Sequence, residues 1–299
     1  MKKFEGIIVP LVTPLTSSDA VDGETLKKLI RHVIANGAAG IMPTAGTGEG
    51  VGLSMRQRRD AVEICVEEAN GKYPVIPGVI VPGFGDCVDI AIEYKKIGVD
   101  GVMLLTPYFT SFGGQDTLVD YFKKFLDITE MPLMIENLPS RTGINMLPRT
   151  MLKLSEASPL FVAVKECARD AMQFSEVIYY LGNRISVLCG FESMMATAFL
   201  LGANGGVIAT ANLFPQIYVD LLSAAREKNV DKVNRINFDL IRPLNEAAYM
   251  TPNPGPIRYA LELIGISNGV PVLPVEIPDQ NVKNRVAEII TDIQKYLTK

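Results

Sequence analysis

Short apolar runs alternate along the chain with segments whose hydrophobic residues recur at helical spacing. The runs open near Gly6, Ala39, Val75, Gly101, Pro132, Phe161, Ile185 and Gly205. Most are apolar at every position, as in Gly101-Val102-Met103-Leu104-Leu105, which is how parallel strands buried on both faces read. Between them, Leu26, Leu29, Ile30, Val33 and Ile34 make one helical stripe. Gly37, Gly71, Gly98, Gly182 and Gly202 follow such segments, where a left-handed residue commonly closes a helix. Repeated strand–helix units ahead of residue 230 predict a (β/α)8 TIM barrel over residues 1–229. A doubly wound open sheet would show a break or a second composition block, and neither is present. Residues 230–299 read as extra C-terminal helices, an appendage packing on the barrel or on a partner subunit. Val282, Val286, Ile289, Ile290, Ile293 and Leu297 form one apolar stripe there, and Pro252, Pro254 and Pro256 mark the start of another helix.

Composition narrows the possible chemistry. The chain has 299 residues, 48% of them hydrophobic, enough for one large core. A formal net charge of −4 argues against a nucleic-acid surface, which needs clustered Lys and Arg. Cys65, Cys87, Cys167 and Cys189 form no Cys-x-x-Cys pair, and His32 is the sole histidine. We therefore expect no metal site, no cofactor, reduced thiols and a cytoplasmic location. Residues 2–12 faintly resemble a signal peptide, but Pro10 breaks the apolar run and no small-residue cleavage site follows. No stretch reaches ~18 uninterrupted apolar residues, so no membrane span is expected.

Active sites of such barrels lie at the C-terminal ends of the strands, so polar residues there are the candidates. Lys165 ends Phe161-Val162-Ala163-Val164-Lys165-Glu166. Alternation places it on the face of Ala163, with Val162 and Val164 opposite. A lysine inside the barrel is desolvated, which lowers its pKa by ~3 units and frees an amine for attack on a ketone. A strand-end lysine that snorkels to solvent or joins an ion pair is an equal alternative. The turn Gly46-Thr47-Gly48-Glu49-Gly50, followed by a helix near Ser54, suits an anion such as a carboxylate, or is a turn chosen for its backbone angles alone. Glu136 ends an apolar strand and shares a face with Met134. Arg141, in the loop beyond, can clamp a second carboxylate or serve a salt bridge. Glu192, in Gly190-Phe191-Glu192, can accept from substrate hydroxyls or favour the first turn of a helix.

Taken together, these residues resemble the dihydrodipicolinate synthase and N-acetylneuraminate lyase family of class I aldolases. The similarity runs along nearly the whole chain. It includes Gly6-Ile7-Ile8-Val9-Pro10-Leu11-Val12-Thr13-Pro14, the turn from Gly46 to Glu49, Thr106-Pro107-Tyr108, Pro139-Ser140-Arg141-Thr142-Gly143, Val164-Lys165-Glu166 and Gly205-Gly206-Val207. The resemblance implies that Lys165 forms an imine with pyruvate and that Gly46 and Thr47 hold the pyruvate carboxylate. It makes Gly190 and Val207 substrate-lining positions, and it implies a homotetramer, a dimer of dimers. Three hydroxyls of the family's proton relay are absent. Glu136 stands for a tyrosine, Gly46 for a threonine, and Phe109 for a tyrosine donated across a subunit interface. Arg141 keeps the position that meets a second carboxylate, and Gly190-Phe191-Glu192 is closer to the sugar-acid branch.

Glu136 is then expected to replace tyrosine as the general acid/base. At ~4 Å across the barrel its attraction for an ammonium would be about 4 kcal/mol, enough to oppose a neutral amine and to favour a protonated imine. The expected function is a Schiff-base-forming lyase on pyruvate or a 2-keto(-3-deoxy) acid, condensing or cleaving an aldol. A sugar-acid dehydratase, a dihydrodipicolinate synthase with a replaced relay, and a non-catalytic keto-acid-binding barrel are the alternatives.

Overall fold

The computed structural model describes residues 4–266 and 270–298. Eight parallel strands form one sheet: β1 (Gly6–Pro10), β2 (Gly40–Met42), β3 (Gly78–Val79), β4 (Val102–Leu105), β5 (Leu133–Asn137), β6 (Phe161–Glu166), β7 (Ser186–Cys189) and β8 (Gly205–Val207). Their order is β2-β1-β8-β7-β6-β5-β4-β3, and a parallel bridge from Ile41 to Val75 closes the ring beside β3. The fold is therefore the expected (β/α)8 barrel.

The intervening helices are α1 (Gly23–Ala35), α2 (Met55–Ala69), α3 (Phe84–Ile97), α4 (Gln115–Thr129), the short α5 (Pro139–Thr142), α6 (Pro148–Ala157), α7 (Ala171–Leu181), α8 (Met195–Leu200) and α9 (Pro215–Arg226). Local chemistry starts them. The Asp22 carboxylate accepts from Thr25 N at the head of α1, and Ser54 with Gln57 forms a reciprocal capping box at the head of α2. Leu26, Leu29, Ile30 and Val33 of the α1 stripe are buried against the sheet. Gly37, Gly71, Gly98 and Gly202 take left-handed angles at helix ends. Gly182 does not. It sits at φ −57°, because α7 ends in a right-handed turn that continues to Arg184.

Two apolar layers result. Ile8, Met42, Ala45, Met103, Met134, Ala163, Leu188 and Val207 fill the barrel interior. A larger cluster, with Val164, Val187 and Phe161, lies between strands and helices. Val162 departs from the expected alternation and packs towards the interior. The cause is a register shift between Leu133 and Met134, which pair with Phe161 and Ala163 and leave Val162 as an extra residue. Above that bulge the alternation holds, and Lys165 follows Ala163 inward.

Beyond Val230 lie α10 (Val230–Ile236), a π-helical stretch Asn237–Ile241, α11 (Arg242–Tyr249), α12 (Gly255–Leu263) and α13 (Gln280–Leu297). Val286, Ile289, Ile290 and Ile293 of α13 are buried, about 1.5–3 kcal/mol of transfer free energy each. Helices α11 and α12 rest on the 3-10 turns that leave β7 and β8, so this segment reaches the C-terminal rim of the barrel. No helix among the described residues is long and apolar enough to cross a membrane.

Candidate active site

Lys165 and Glu136 are direct partners in the β5–β6 register, so their side chains leave neighbouring strands side by side. The Lys165 Nζ lies 2.6 Å from Glu136 Oε1. They are not opposed across the barrel as the sequence suggested, because parallel register places the last inward residues of adjacent strands together. Both are buried, Lys165 at 8% exposure and Glu136 at 4%. A third group joins them: the Cys167 thiol donates to the same Glu136 Oε1 at 3.8 Å. Burial pushes that thiol well above its ordinary pKa, so it stays a neutral donor. Gly190 completes the packing. A Cβ there would lie 2.2 Å from Cys167 Sγ and 2.9 Å from Lys165 Cγ and Cε, so glycine leaves the volume that the lysine stem fills.

The ion pair decides the protonation state of the amine. Burial is the largest influence on Lys165 and lowers its pKa, but Glu136, Cys167 and Glu192 together outweigh it and raise the value above the ordinary one. At 2.6 Å and an effective dielectric near 20, the attraction is about 6 kcal/mol, against several kcal/mol to desolvate one ion. The lowering expected from burial alone is therefore outweighed, in the direction expected of a nearby Glu136. Contact with Glu136 favours the ammonium form of Lys165.

The glycine-rich turn leaves β2 at the same end of the barrel. Its glycines have different reasons. A Cβ on Gly48 would sit 2.6 Å from Leu11 O, and one on Gly50 1.8 Å from Thr44 O, so both allow backbone to approach backbone. Gly46 is exposed, with nothing within 4 Å of a Cβ, so it faces open space. The Thr47 side chain is buried at 8% exposure. Glu49 does not face the opening. Its carboxylate pairs with Arg258 of α12 and accepts from Val272 N at 3.0 Å, while Arg258 also donates to Thr13 O at 2.7 Å. Burial raises the Glu49 pKa despite this arginine. The N-terminus of α2 is closed by its own capping box, so carboxylate binding here would fall to the turn itself.

Arg141 lies in α5, directly after β5, exposed and without an ion pair among the described residues. Val207 belongs to the interior layer. Glu192 is 1% exposed and already engaged: Oε1 accepts from Thr210 N at 3.3 Å and Thr210 Oγ1 at 3.4 Å, and Oε2 accepts from the Tyr249 hydroxyl at 3.0 Å. Tyr218 bonds the Thr210 hydroxyl in turn. Burial, then Glu192, pushes the Tyr249 and Tyr218 phenols up, so both remain protonated.

Cys167, Thr210, Tyr218, Tyr249 and Arg258 were not singled out in the sequence. Cys167 carried a usable signal, since it has the same parity as Lys165 past the bulge. Tyr249 carried none, because a helix 57 residues from Glu192 brings it to the rim. Among the described residues, no three His, Cys, Asp or Glu side chains gather as metal ligands would.

Comparison with known proteins gives the family of this fold. The Dihydrodipicolinate synthetase family profile matches residues 3–293. The 4-hydroxy-tetrahydrodipicolinate synthase of Pelobacter propionicus is 34% identical over 263 residues, 88% of this chain and 89% of that one. Dihydrodipicolinate synthase from Aquifex aeolicus superposes with a TM-score of 0.91 at 29% identity, covering 98% of each chain. The chloride-inhibited Acinetobacter baumannii enzyme complexed with pyruvate gives 0.91 at 26% identity, covering 98% of this chain and 99% of that one. This chain belongs to the Dihydrodipicolinate synthetase family and is a lyase of the class I aldolase type.

Proposed function

We propose that this member of the Dihydrodipicolinate synthetase family forms a Schiff base between Lys165 and pyruvate or a related 2-keto(-3-deoxy) acid, and makes or breaks a carbon–carbon bond through the enamine. The observation that carries this reading is the buried 2.6 Å pair of Lys165 with Glu136 at the C-terminal ends of β6 and β5. A buried lysine with a carboxylate on its amine has both the nucleophile and the group that moves its protons.

The steps balance without outside protons. Glu136 takes a proton from the Lys165 ammonium as the keto acid arrives, and the free amine adds to C2. That proton returns from Glu136, and a second passes from the added nitrogen, to the former carbonyl oxygen, which leaves as water. The resulting protonated imine is cationic, and the restored Glu136 carboxylate stabilises it in place of the ammonium. Glu136 then removes a C3 proton to give the enamine, which attacks an aldehyde or expels a hydroxyl from C4, and the same proton passes from Glu136 to the new alkoxide or to the departing hydroxyl. Gly46 and Thr47 seat the keto acid's carboxylate, Arg141 and Glu192 select the distal part of the substrate, and Gly190 and Val207 line it. No cofactor enters these steps.

Dehydration of a 2-keto-3-deoxy sugar acid uses the same enamine and is the second reading. Glu192 favours it where a substrate hydroxyl takes the place of the Tyr249 hydroxyl on Oε2. The condensation for which the curated relatives are named would run here with Glu136 in place of the hydroxyl relay. We further read the protein as a cytoplasmic homotetramer, a dimer of dimers. The support is Phe109, 98% exposed on the β4–α4 loop, at the position that the family resemblance assigns to an interface.

Borohydride reduction in the presence of pyruvate, followed by peptide mass analysis, tests the reading. The expected result is one reduced pyruvyl group on Lys165 and none in Lys165→Ala. Adduct on other lysines only, or none at all, would sink it.

A further inference from the structure

Arg169 follows β6 by three residues, four beyond Lys165. Its φ is +58°, in the left-handed region where an arginine is strained and a glycine is not. Its guanidinium stacks 4.0 Å from the centroid of Phe191, the residue between Gly190 and Glu192. The side chain is exposed and makes no ion pair among the described residues. Carboxylates close in sequence are occupied elsewhere. Asp170 accepts from Met172 N and Gln173 N, Glu166 from Asn137 and Ala168 N, and Glu192 from Thr210 and Tyr249.

Arg141 stands in the same condition at the end of β5, the strand hydrogen-bonded to β6. Two unneutralised guanidinium groups thus leave neighbouring strands just beyond the Lys165–Glu136 pair. One of them is held by an aromatic face on a backbone that would relax with glycine. Strain retained at a strand end beside a reactive pair marks a side chain kept for binding.

We infer that Arg169, together with Arg141, holds an anionic group, a carboxylate or a phosphate, at the end of the substrate remote from its keto group. This rests on the Schiff-base reading of Lys165. It makes the preferred substrate a 2-keto acid with a charged tail, and it makes Arg169 a specificity-determining residue. The planar fork suits either anion in bidentate fashion, and stacking on Phe191 reduces the rotamer freedom lost on binding.

The test compares the keto-acid concentrations that give half-maximal borohydride-trapped adduct on Lys165. Pyruvate is set against 2-ketoglutarate for the carboxylate, and 2-keto-3-deoxygluconate against its 6-phosphate for the phosphate. Arg169→Gly removes the charge and relieves the backbone, while Arg169→Met keeps apolar bulk on Phe191. In the unsubstituted protein, at least one charged-tail acid is expected to saturate at about tenfold lower concentration than its counterpart, or less. Both variants should lose that preference, keep pyruvate trapping, and Arg169→Gly should melt no lower than the parent. An unchanged preference in either variant, or no preference in the parent, overturns the inference while leaving the lysine chemistry standing. Absence of adduct with every acid, pyruvate included, refutes the lysine chemistry and the inference with it.

Discussion

The two ends of the barrel solve the same backbone problem with different residues. At the foot, where helices turn back into strands, left-handed angles fall to Gly37, Gly71, Gly98 and Gly202, with Asn70, which tolerates them, and Glu130. At the rim, where strands lead into helices, they fall to Gly114 and Gly143 and, more often, to non-glycine residues: Asp19, Thr44, Glu49, Phe109 and Arg169. Each non-glycine residue held there costs about 1–2 kcal/mol. Most rim side chains have work that a glycine would not do. Thr44 Oγ1 donates to Gly78 O at 2.9 Å, Glu49 pairs with Arg258, and Arg169 lies over Phe191. The foot gives most of its left-handed angles to glycine, with Glu130 and Lys228 as exceptions, whereas the rim gives most of them to side chains.

The sharpest way to break the contrast is to remove the charge that the rim buries. Glu136→Gln leaves Lys165 buried without a counter-charge, a loss of about 3–5 kcal/mol when one partner of a buried pair goes. The sign of the pH dependence should invert. In the parent, the Lys165 pKa is raised above its ordinary 10.5. Its stabilisation is therefore fully present below that value and lost as pH rises through the raised pKa. In the variant only burial dominates, the pKa falls below 10.5, and stability should climb as pH rises through the lowered value. In thermal melts from pH 7 to 10 this contribution is flat in the parent and climbs in the variant. Turnover should fall about 10²- to 10⁴-fold, the usual contribution of a positioned acid/base group. Equal pH slopes in the two proteins, with turnover retained, would make Glu136 a bystander.

A smaller effect comes from the glycine that shapes the lysine. In Gly190→Ala the new methyl meets Cys167 Sγ and the Lys165 stem, and over-packing of this kind costs about 1–3 kcal/mol. The fold should survive. Pyruvate trapping on Lys165 should drop far more than melting temperature would imply, since the amine is pushed off Glu136. If trapping and melting fall in proportion, the glycine serves only packing.

Much of this was legible in the residues, for physical reasons. Continuous apolar runs and glycine-ended helical stripes reveal a barrel because burial on both faces and left-handed caps leave compositional traces. Lys165 and Glu136 were legible because a charge ending a buried strand contradicts its surroundings. Their proximity was anticipated, but not their side-by-side placement, because register between β5 and β6 turns on a bulge at Val162, which no local pattern announces. The raised lysine pKa was legible once Glu136 was set near the amine, although burial alone points the other way. The strained rim was invisible because sequence flags left-handed turns only where glycine or asparagine sits. Tyr249 and Arg258, which tie α11 and α12 to Glu192 and Glu49, needed the tertiary fold.

The finest test pits one glycine from each end against the other. Gly98 at the foot has φ +95° and open space around a Cβ, so Gly98→Ala meets only the backbone penalty, about 1 kcal/mol, with no effect on pyruvate trapping. Gly46 at the rim also has open space around a Cβ, but it lies outside the positive-φ region. Gly46→Thr should therefore leave the melting temperature within a degree or two, about 0.5 kcal/mol. It should nonetheless alter the pyruvate concentration for half-maximal trapping, because the added hydroxyl stands where the keto acid's carboxylate is proposed to sit. Foot and rim would then separate cleanly, one substitution moving stability alone and the other moving binding alone. A Gly46→Thr protein that melts several degrees lower and traps pyruvate as the parent does would mean that this glycine, like those at the foot, is there for the chain and not for the ligand.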